Sequence, residues 1–304
     1  MTEERRTMKK AIALALALVL LLTCSAALAE KVKISKKIFP DLQFRKVVKA
    51  VADKNKDGYL TEGEIRAVTS IDCSNKNITS LKGVEIFTSL KTLYCEHNEL
   101  TELDVSRNTK LEDLHCGWNS LKKLDVSKNT ALTHFYCGFN QLTKLNVSKN
   151  TKLEFFGCYS NRLKKLNLSK NTKLKQAHFN DNELTEVDVS KNKELTAISC
   201  YRNKLTALDV SKNLKLERLY CNENELTELD VTKNTKLFQL DCFSNQIKEL
   251  DLRKNSLLLK LMKGKDPAVQ YEPRYGWWEE RKENGYTVIT KSLFFDKDTK
   301  LITK

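Results

Sequence analysis

Between Leu90 and Asn255 one 21-residue pattern runs eight times without an insertion, with the consensus L-x-x-L-x-C-x-x-N-x-L-x-x-L-D-V-S-K-N-x-x. Its first leucine falls at Leu90, Leu111, Leu132, Leu153, Leu174, Leu195, Leu216 and Leu237. A unit this short cannot cover its own apolar side chains. Each must stack on the next, and the core must be one continuous column.

Within a repeat, Leu93 and Cys95 are two residues apart and share one face of a short strand, while Thr92, Tyr94 and Glu96 share the other. Parallel strands stacked ~4.8 Å apart place the eight copies along a wall roughly 35 to 40 Å long. Asn98, Asn119, Asn140, Asn161, Asn182, Asn203, Asn224 and Asn245 stand where the chain leaves each strand. An inward amide there bonds backbone groups that the turn leaves unpaired. Leu100, Leu103 and Val105 point inward again, and Ser106-Arg107-Asn108 is turn chemistry. Little chain separates the two walls, so the return limb is expected to be short strand or tight turn rather than full helix. The core L-x-x-L-x-(L/C)-x-x-N is that of a leucine-rich repeat. The expected fold is a repeat solenoid of about eight full coils plus two atypical end coils. It has a parallel strand wall, short convex return limbs, a helical N-terminal cap and a β-rich C-terminal cap.

Residues 1–29 read as a signal peptide: Arg5, Arg6, Lys9 and Lys10 precede the apolar run Ala11 to Leu22, and Ala27-Leu28-Ala29 is a small-x-small cleavage pattern. The run is too short to span a membrane. Cleavage after Ala29 predicts secretion or display at the cell surface, with a lipid anchor on Cys24 as the lesser alternative.

Residues 30–69 form the N-terminal cap. Asp41 is an N-cap for a helix whose apolar side carries Leu42, Phe44, Val47, Val48 and Val51. The segment from Asp53 to Glu64 then resembles an EF-hand calcium loop at every defining position. By that resemblance Asp53, Asn55 and Asp57 give side-chain oxygens and Tyr59 its carbonyl. Thr61 acts directly or through water, Glu64 binds with both oxygens, and Gly58 permits the turn. A single loop outside the cell implies a structural Ca2+ rather than a sensor.

The solenoid is assigned residues 70–263. Val68, Ile71 and Cys73 anticipate the pattern by 22 residues, and at the far end Lys263 replaces the cysteine. In the C-terminal cap, residues 264–304, Tyr286 to Ile289 and Lys291 to Phe295 read as short strands and Asp296-Lys297-Asp298 as a turn. Trp277-Trp278 would be the contact of a separate small module, were this segment one.

The formal charge of +14 comes largely from lysine, much of it in repeated S-K-N-T-K turns. A regular basic convex face can attract anionic envelope polymer, glycan or nucleic acid, although nothing resembles a nucleic-acid module. Nine cysteines in an exported chain invite disulfide pairing, but Cys95, Cys116, Cys137, Cys158, Cys200, Cys221 and Cys242 share one inward site, with Cys73 ahead of them and Phe179 replacing the cysteine once. In-register neighbours present parallel Cβ vectors, a poor approach for a disulfide, so a column of reduced core thiols is expected.

The outward wall positions carry Tyr94, His97, His115, Trp118, His134, Tyr136, Phe139, Phe155, Tyr159, His178, Tyr201, Tyr220 and Phe243, including all four histidines. Large rings on a wall that packs nothing favour an interface. The competing reading is cross-strand stacking that stiffens the sheet. Gly117, Gly138 and Gly157 are expected to leave room between rings from Trp118 to Tyr159. The histidines lie on four coils with no catalytic constellation beside them, so an enzyme is not expected.

With these residues in view, residues 39–263 resemble secreted bacterial leucine-rich-repeat proteins of the internalin-like kind: a helical EF-hand-like cap, then uniform coils. The cysteine and the absence of a surface-attachment region depart from that pattern, so invasion of host cells is not implied. The expected function is an extracellular module that captures a protein or glycoprotein on its aromatic wall. The alternative is an envelope or matrix protein that binds anionic polymer through its Lys-rich convex face.

Overall fold

The computed structural model describes residues 31–263, 268–271, 274–283 and 286–304, with side chains through residue 263, at Ile289 and from Lys291 onward. The signal segment with Cys24, and the side chains of Trp277 and Trp278, lie outside the described residues.

The N-terminal cap runs β1 (Val32–Lys33), α1 (Leu42–Ala52), β2 (Tyr59–Leu60) and α2 (Glu62–Ala67). Asp41 both starts α1 and ties it to the first coil: Oδ1 accepts from the Phe44 amide, and Oδ2 accepts from the Thr79 amide and hydroxyl, each at 2.9 Å. The helix buries Phe44, Val47, Val48 and Ala52. Leu42, expected on the apolar side, is exposed, because Phe39 fills the core beneath that turn with its ring against Phe44 and Phe87. Gly83 holds φ at 101°, and a Cβ there would stand 2.3 Å from the Phe39 ring.

The wall follows as β3 (Ser70–Asp72), β4 (Thr92–Tyr94), β5 (Asp113–His115), β6 (His134–Tyr136), β7 (Phe155–Gly157), β8 (Gln176–His178), β9 (Ala197–Ser199), β10 (Arg218–Tyr220) and β11 (Gln239–Asp241). All pair parallel and in register, so Leu93 lies beside Leu114, Leu114 beside Phe135, and so on. Every central residue is fully buried. The ladder continues past the strands, with Cys95 N donating to His115 O at 2.9 Å and Asn98 N to Trp118 O at 3.2 Å. Each exit asparagine bridges coils as its position predicts. Asn140 donates through Nδ2 to Cys116 O (3.0 Å) and accepts from the Leu121 amide (2.9 Å).

In the uniform coils from Leu90 to Asn234 the return limbs contain turns and no helix, while the first coil carries a 3-10 turn at Val84–Ile86. Their asparagines are not surface turn residues. Asn108, Asn129, Asn150, Asn171, Asn192, Asn213, Asn234 and Asn255 are fully buried and form a second amide ladder. Asn150 Nδ2, for example, donates to Val126 O and Asn129 O at 2.9 Å each. The eight described cysteines are buried and free. Burial pushes their thiols up, to about 12 for Cys73 and Cys200, so they sit in the column as uncharged core groups.

The period ends at β12 (Glu249–Asp251) and α3 (Ser256–Met262), which still buries Leu258 and Leu261. After it come β13 (Ala268–Tyr271), β14 (Arg274–Glu283), β15 (Tyr286–Phe295) and β16 (Lys300–Ile302). The two short strands expected from Tyr286 to Phe295 are one, because that whole length pairs with β14. β15 runs parallel to β11 and extends the wall to twelve strands, and β16 pairs with β12 on the return side. Asp296, read from sequence as part of a turn, is the cap itself: its carboxylate accepts from Ser244 N at 2.6 Å and Asn245 N at 3.0 Å, the two amides that in every earlier coil donate to the next one. The chain is a leucine-rich-repeat solenoid.

Candidate functional site on the strand wall

Alternation along each three-residue strand sends Leu93 and its equivalents inward and leaves two side chains outward. Just beyond it the backbone must reverse toward the exit asparagine, and it does so through the left-handed region. His97, Trp118, Phe139, Ser160, Asp181, Arg202, Glu223 and Ser244 all hold φ between 51° and 55°. No glycine occupies any of these positions, so the sequence carries no sign of the conformation, which costs an L-residue about 1–2 kcal/mol. Its effect is to lift each of these side chains onto the rim of the wall.

Three ring ladders run across the coils. Tyr94 contacts His115 with centroids 4.5 Å apart, and His115 contacts Tyr136 at 4.7 Å. On the rim His97 stacks on Trp118 at 4.9 Å, Trp118 on Phe139 at 3.6 Å, and Phe139 meets Tyr159 edge-on at 5.5 Å. His134 stacks on Phe155 at 4.6 Å. The glycines do not leave empty space: a Cβ on Gly138 would stand 2.5 Å from the Tyr159 ring, and one on Gly157 2.7 Å from Tyr136, so the tyrosines lie flat in the slots. Stacking and exposure coexist. Trp118 and Phe139 remain 45% and 37% exposed.

The structure therefore gathers Tyr94, His115, Trp118, His134, Tyr136, Phe139, Phe155 and Tyr159 into one strip. His178, Tyr201 and Tyr220 lie farther along the same wall and stack on no other ring among the described residues. Tyr201 lies against the Arg202 guanidinium, and Tyr220 donates to Gln239. Phe243 is buried at the end of the wall and is not part of an exposed face.

His115 sits between two carboxylates, with Nε2 3.1 Å from Asp113 Oδ1 and Nδ1 3.6 Å from Glu96 Oε2. Burial by itself lowers its pKa, but Asp113 and Glu96 outweigh that and hold it above the ordinary histidine value. Tyr94 donates to Asp113 Oδ2 at 2.7 Å, which pushes the phenol up to about 12. His178 goes the other way, lowered first by burial and then by Arg218.

The loop from Asp53 to Glu64 joins α1 to α2, and its strand β2 pairs antiparallel with β1, Val32 opposite Leu60. Asp53 is buried; its Oδ2 accepts from Gly58 N at 3.1 Å, while Oδ1 has no hydrogen-bond partner. That orphaned acid oxygen, with Asn55, Asp57 and the Tyr59 carbonyl following, fits a hard cation in kind. The other two carboxylates are engaged: Asp57 pairs with Lys31 at 2.9 Å, and Glu64 accepts from the amide and hydroxyl of Thr61 in a capping box. Among the described residues no three acidic, His or Cys side chains converge as a metal cluster.

The parallel in-register wall, the two asparagine ladders and the helical cap define an internalin-like leucine-rich-repeat fold, typical of protein-binding modules. No family model matches the sequence. The chain is 40% identical over 71 residues to Internalin J of Listeria monocytogenes serotype 4b (strain F2365), an alignment spanning 23% of this chain and 8% of that protein. The functional domain of InlJ from Listeria monocytogenes, whose structure is described as including a cysteine ladder, is similar at a TM-score of 0.70 and 35% identity, over 75% of this chain and 56% of that one. The internalin InlF of Listeria monocytogenes str. 4b F2365 shares the fold at a TM-score of 0.62 and 20% identity, over 75% and 76% of the two chains. This chain thus spans less than two thirds of the InlJ domain. No helix among the described residues is long and apolar enough to cross a membrane.

Proposed function

We propose that this chain is an exported, non-enzymatic binding module that captures a protein or glycoprotein on its strand wall. The contact is centred on the strip from Tyr94 to Tyr159. One observation carries the reading: Trp118 and Phe139 are held on the rim by a costly backbone conformation, and much of their surface stays in water. Rigid, pre-stacked rings lose little entropy on binding, which suits them as anchors. His178, Tyr201 and Tyr220 extend the face beyond the anchor region. We further infer that the loop of Asp53, Asn55, Asp57, Tyr59, Thr61 and Glu64 holds a structural Ca2+ that stiffens the N-terminal cap.

The test is capture from envelope and host-tissue extracts by the exported chain and by a Trp118→Ala/Tyr136→Ala/Tyr159→Ala variant, each at low and high salt. The expected outcome is a partner that survives salt and is lost with the three rings. A partner that the variant keeps and salt removes would sink the wall as the binding site.

A further inference from the structure

The return side carries a second feature, set by one variable position in each coil. In the second L-x-x-L of successive repeats, the residue before the last leucine reads Glu102, Lys123, Lys144, Lys165 and Glu186. Lys122, Lys164 and Arg162 stand beside these lysines. All six cations are exposed, and none forms an ion pair among the described residues. Glu99 and Glu102 close the patch at one end, Glu183 and Glu186 at the other.

The next column supports this independently. Its residue is aspartate in six of the eight repeats, and its Oδ1 accepts from the amide two residues on, as Asp125 does from Ser127 N at 2.8 Å and Asp188 from Ser190 N at 2.8 Å. The exceptions are Asn146 and Asn167, which lie within the lysine column and make the same turn bond, to Ser148 N and Ser169 N, each at 3.0 Å. The exchange leaves the local structure intact and deletes two negative charges. Its effect is on the field above the groove.

That groove has a volume of about 1370 Å³. Lys144, Arg162, Lys164 and Lys165 line it, with Glu183, Glu186 and Asp188 entering from the next coil, while Leu145, Leu166 and Val187 supply apolar floor and Asn146, Asn167, Thr143, Ser148 and Ser169 add amides and hydroxyls. The neighbouring groove, of about 1050 Å³, has the same build but sets Lys82, Arg107 and Lys123 against Glu85, Glu102, Asp104 and Asp125. There the acids outnumber the cations, whereas in the first groove the cations outnumber the acids.

We propose that the first groove binds a short stretch of anionic polysaccharide. Sulfates or carboxylates would meet Lys144, Arg162, Lys164 and Lys165, ring faces the leucine floor, and sugar hydroxyls the amides. The flanking glutamates confine the contact to about three coils, roughly 10–15 Å on strand spacing, so lengthening the chain beyond that adds little. The site is distinct from the aromatic wall and does not depend on it.

Heparin oligosaccharides of increasing length are the probe, titrated by calorimetry against the full chain. Binding is expected to level off at short lengths and to fall steeply with salt. Asn146→Asp/Asn167→Asp restores the two charges, keeps the turn bonds and the melting temperature, and is expected to weaken binding about tenfold. Lys212→Gln/Lys233→Gln, in coils outside the patch, is expected to change nothing. Absence of binding, equal loss in the two variants, or equally tight binding of inorganic polyphosphate would each overturn the proposal, the last by showing a general polyanion surface.

Discussion

The ring centroids of Trp118 and Phe139 lie 3.6 Å apart with planes at 19°, and both residues hold a left-handed backbone, φ 53° and 51°. Ser160 has the same φ one coil on without a ring stack. Ser160→Gly should therefore raise stability by up to ~1 kcal/mol through relief of the left-handed strain. Trp118→Gly gains the same relief but loses the stacks on His97 and Phe139, worth ~0.5–1.5 kcal/mol each. It should cost no more than about 2 kcal/mol of stability while removing the anchor. Chemical denaturation of the two variants, beside a partner-binding assay, checks this; a large loss of stability in Trp118→Gly would mean the rings serve the sheet rather than a ligand.

The glycines of the strip offer a gentler perturbation. Gly138 has an ordinary backbone conformation, so alanine is tolerated there, but its Cβ meets the Tyr159 ring at 2.5 Å. Tyr159 can swing outward from a half-exposed position. Gly138→Ala is thus expected to cost about 1 kcal/mol or less while shifting Tyr159, seen as a change in its NMR ring signals and a several-fold weaker partner.

His115 and His178 should titrate on opposite sides of the ordinary histidine value near ~6.5. His115 is raised in the folded state by Asp113 and Glu96, so its stabilising contribution is full below the unfolded value and is lost as pH rises through the folded one. For His178, lowered by burial and Arg218, the folded state favours the neutral ring and loses stability as pH falls below the unfolded value. Imidazole chemical shifts followed by NMR report both. His115→Gln should lose most relative to the native chain at mildly acid pH and least at mildly alkaline pH. Titration of His115 below His178 would contradict the arrangement.

The coil architecture was readable because its cause is periodic. Leu93, Cys95 and Asn98 each recur at 21 residues, and each points to one physical role. The second amide ladder was not, since Ser-Lys-Asn in any single repeat reads as a solvated turn. Only the unbroken recurrence of its asparagine hinted that the side chain is enclosed. Asp296 was harder still, because it acts on backbone donors more than fifty residues away and follows no pattern. The ladder makes a sharp prediction. Asn150→Ala strands the carbonyls of Val126 and Asn129, each costing ~1–3 kcal/mol when buried without a donor. A loss of about 2–5 kcal/mol in chemical denaturation is expected, against well under 1 kcal/mol for Lys149→Ala in the adjacent exposed turn.

The proposed calcium site in the loop from Asp53 to Glu64 is testable without knowing any partner. EF-hand loops usually brace each other in pairs; here β2 is braced by β1, and Lys31, immediately before β1, places its ammonium on Asp57. A cation entering the loop must take Asp57 from Lys31 and draw Glu64 away from the Thr61 cap, while the unpartnered Asp53 Oδ1 is already available. These costs fit weak binding, of order 10⁻⁴ to 10⁻³ M as in extracellular modules. Calorimetry should show a single Ca2+ event with that affinity and a melting temperature that rises with added calcium. Asp53→Asn should abolish both, whereas Lys31→Met, which frees Asp57, should tighten binding a few-fold. If Lys31→Met left the affinity unchanged, Asp57 would not be a ligand; if the native chain bound no calcium, the capping box of Thr61 and Glu64 would be the whole purpose of the acidic loop.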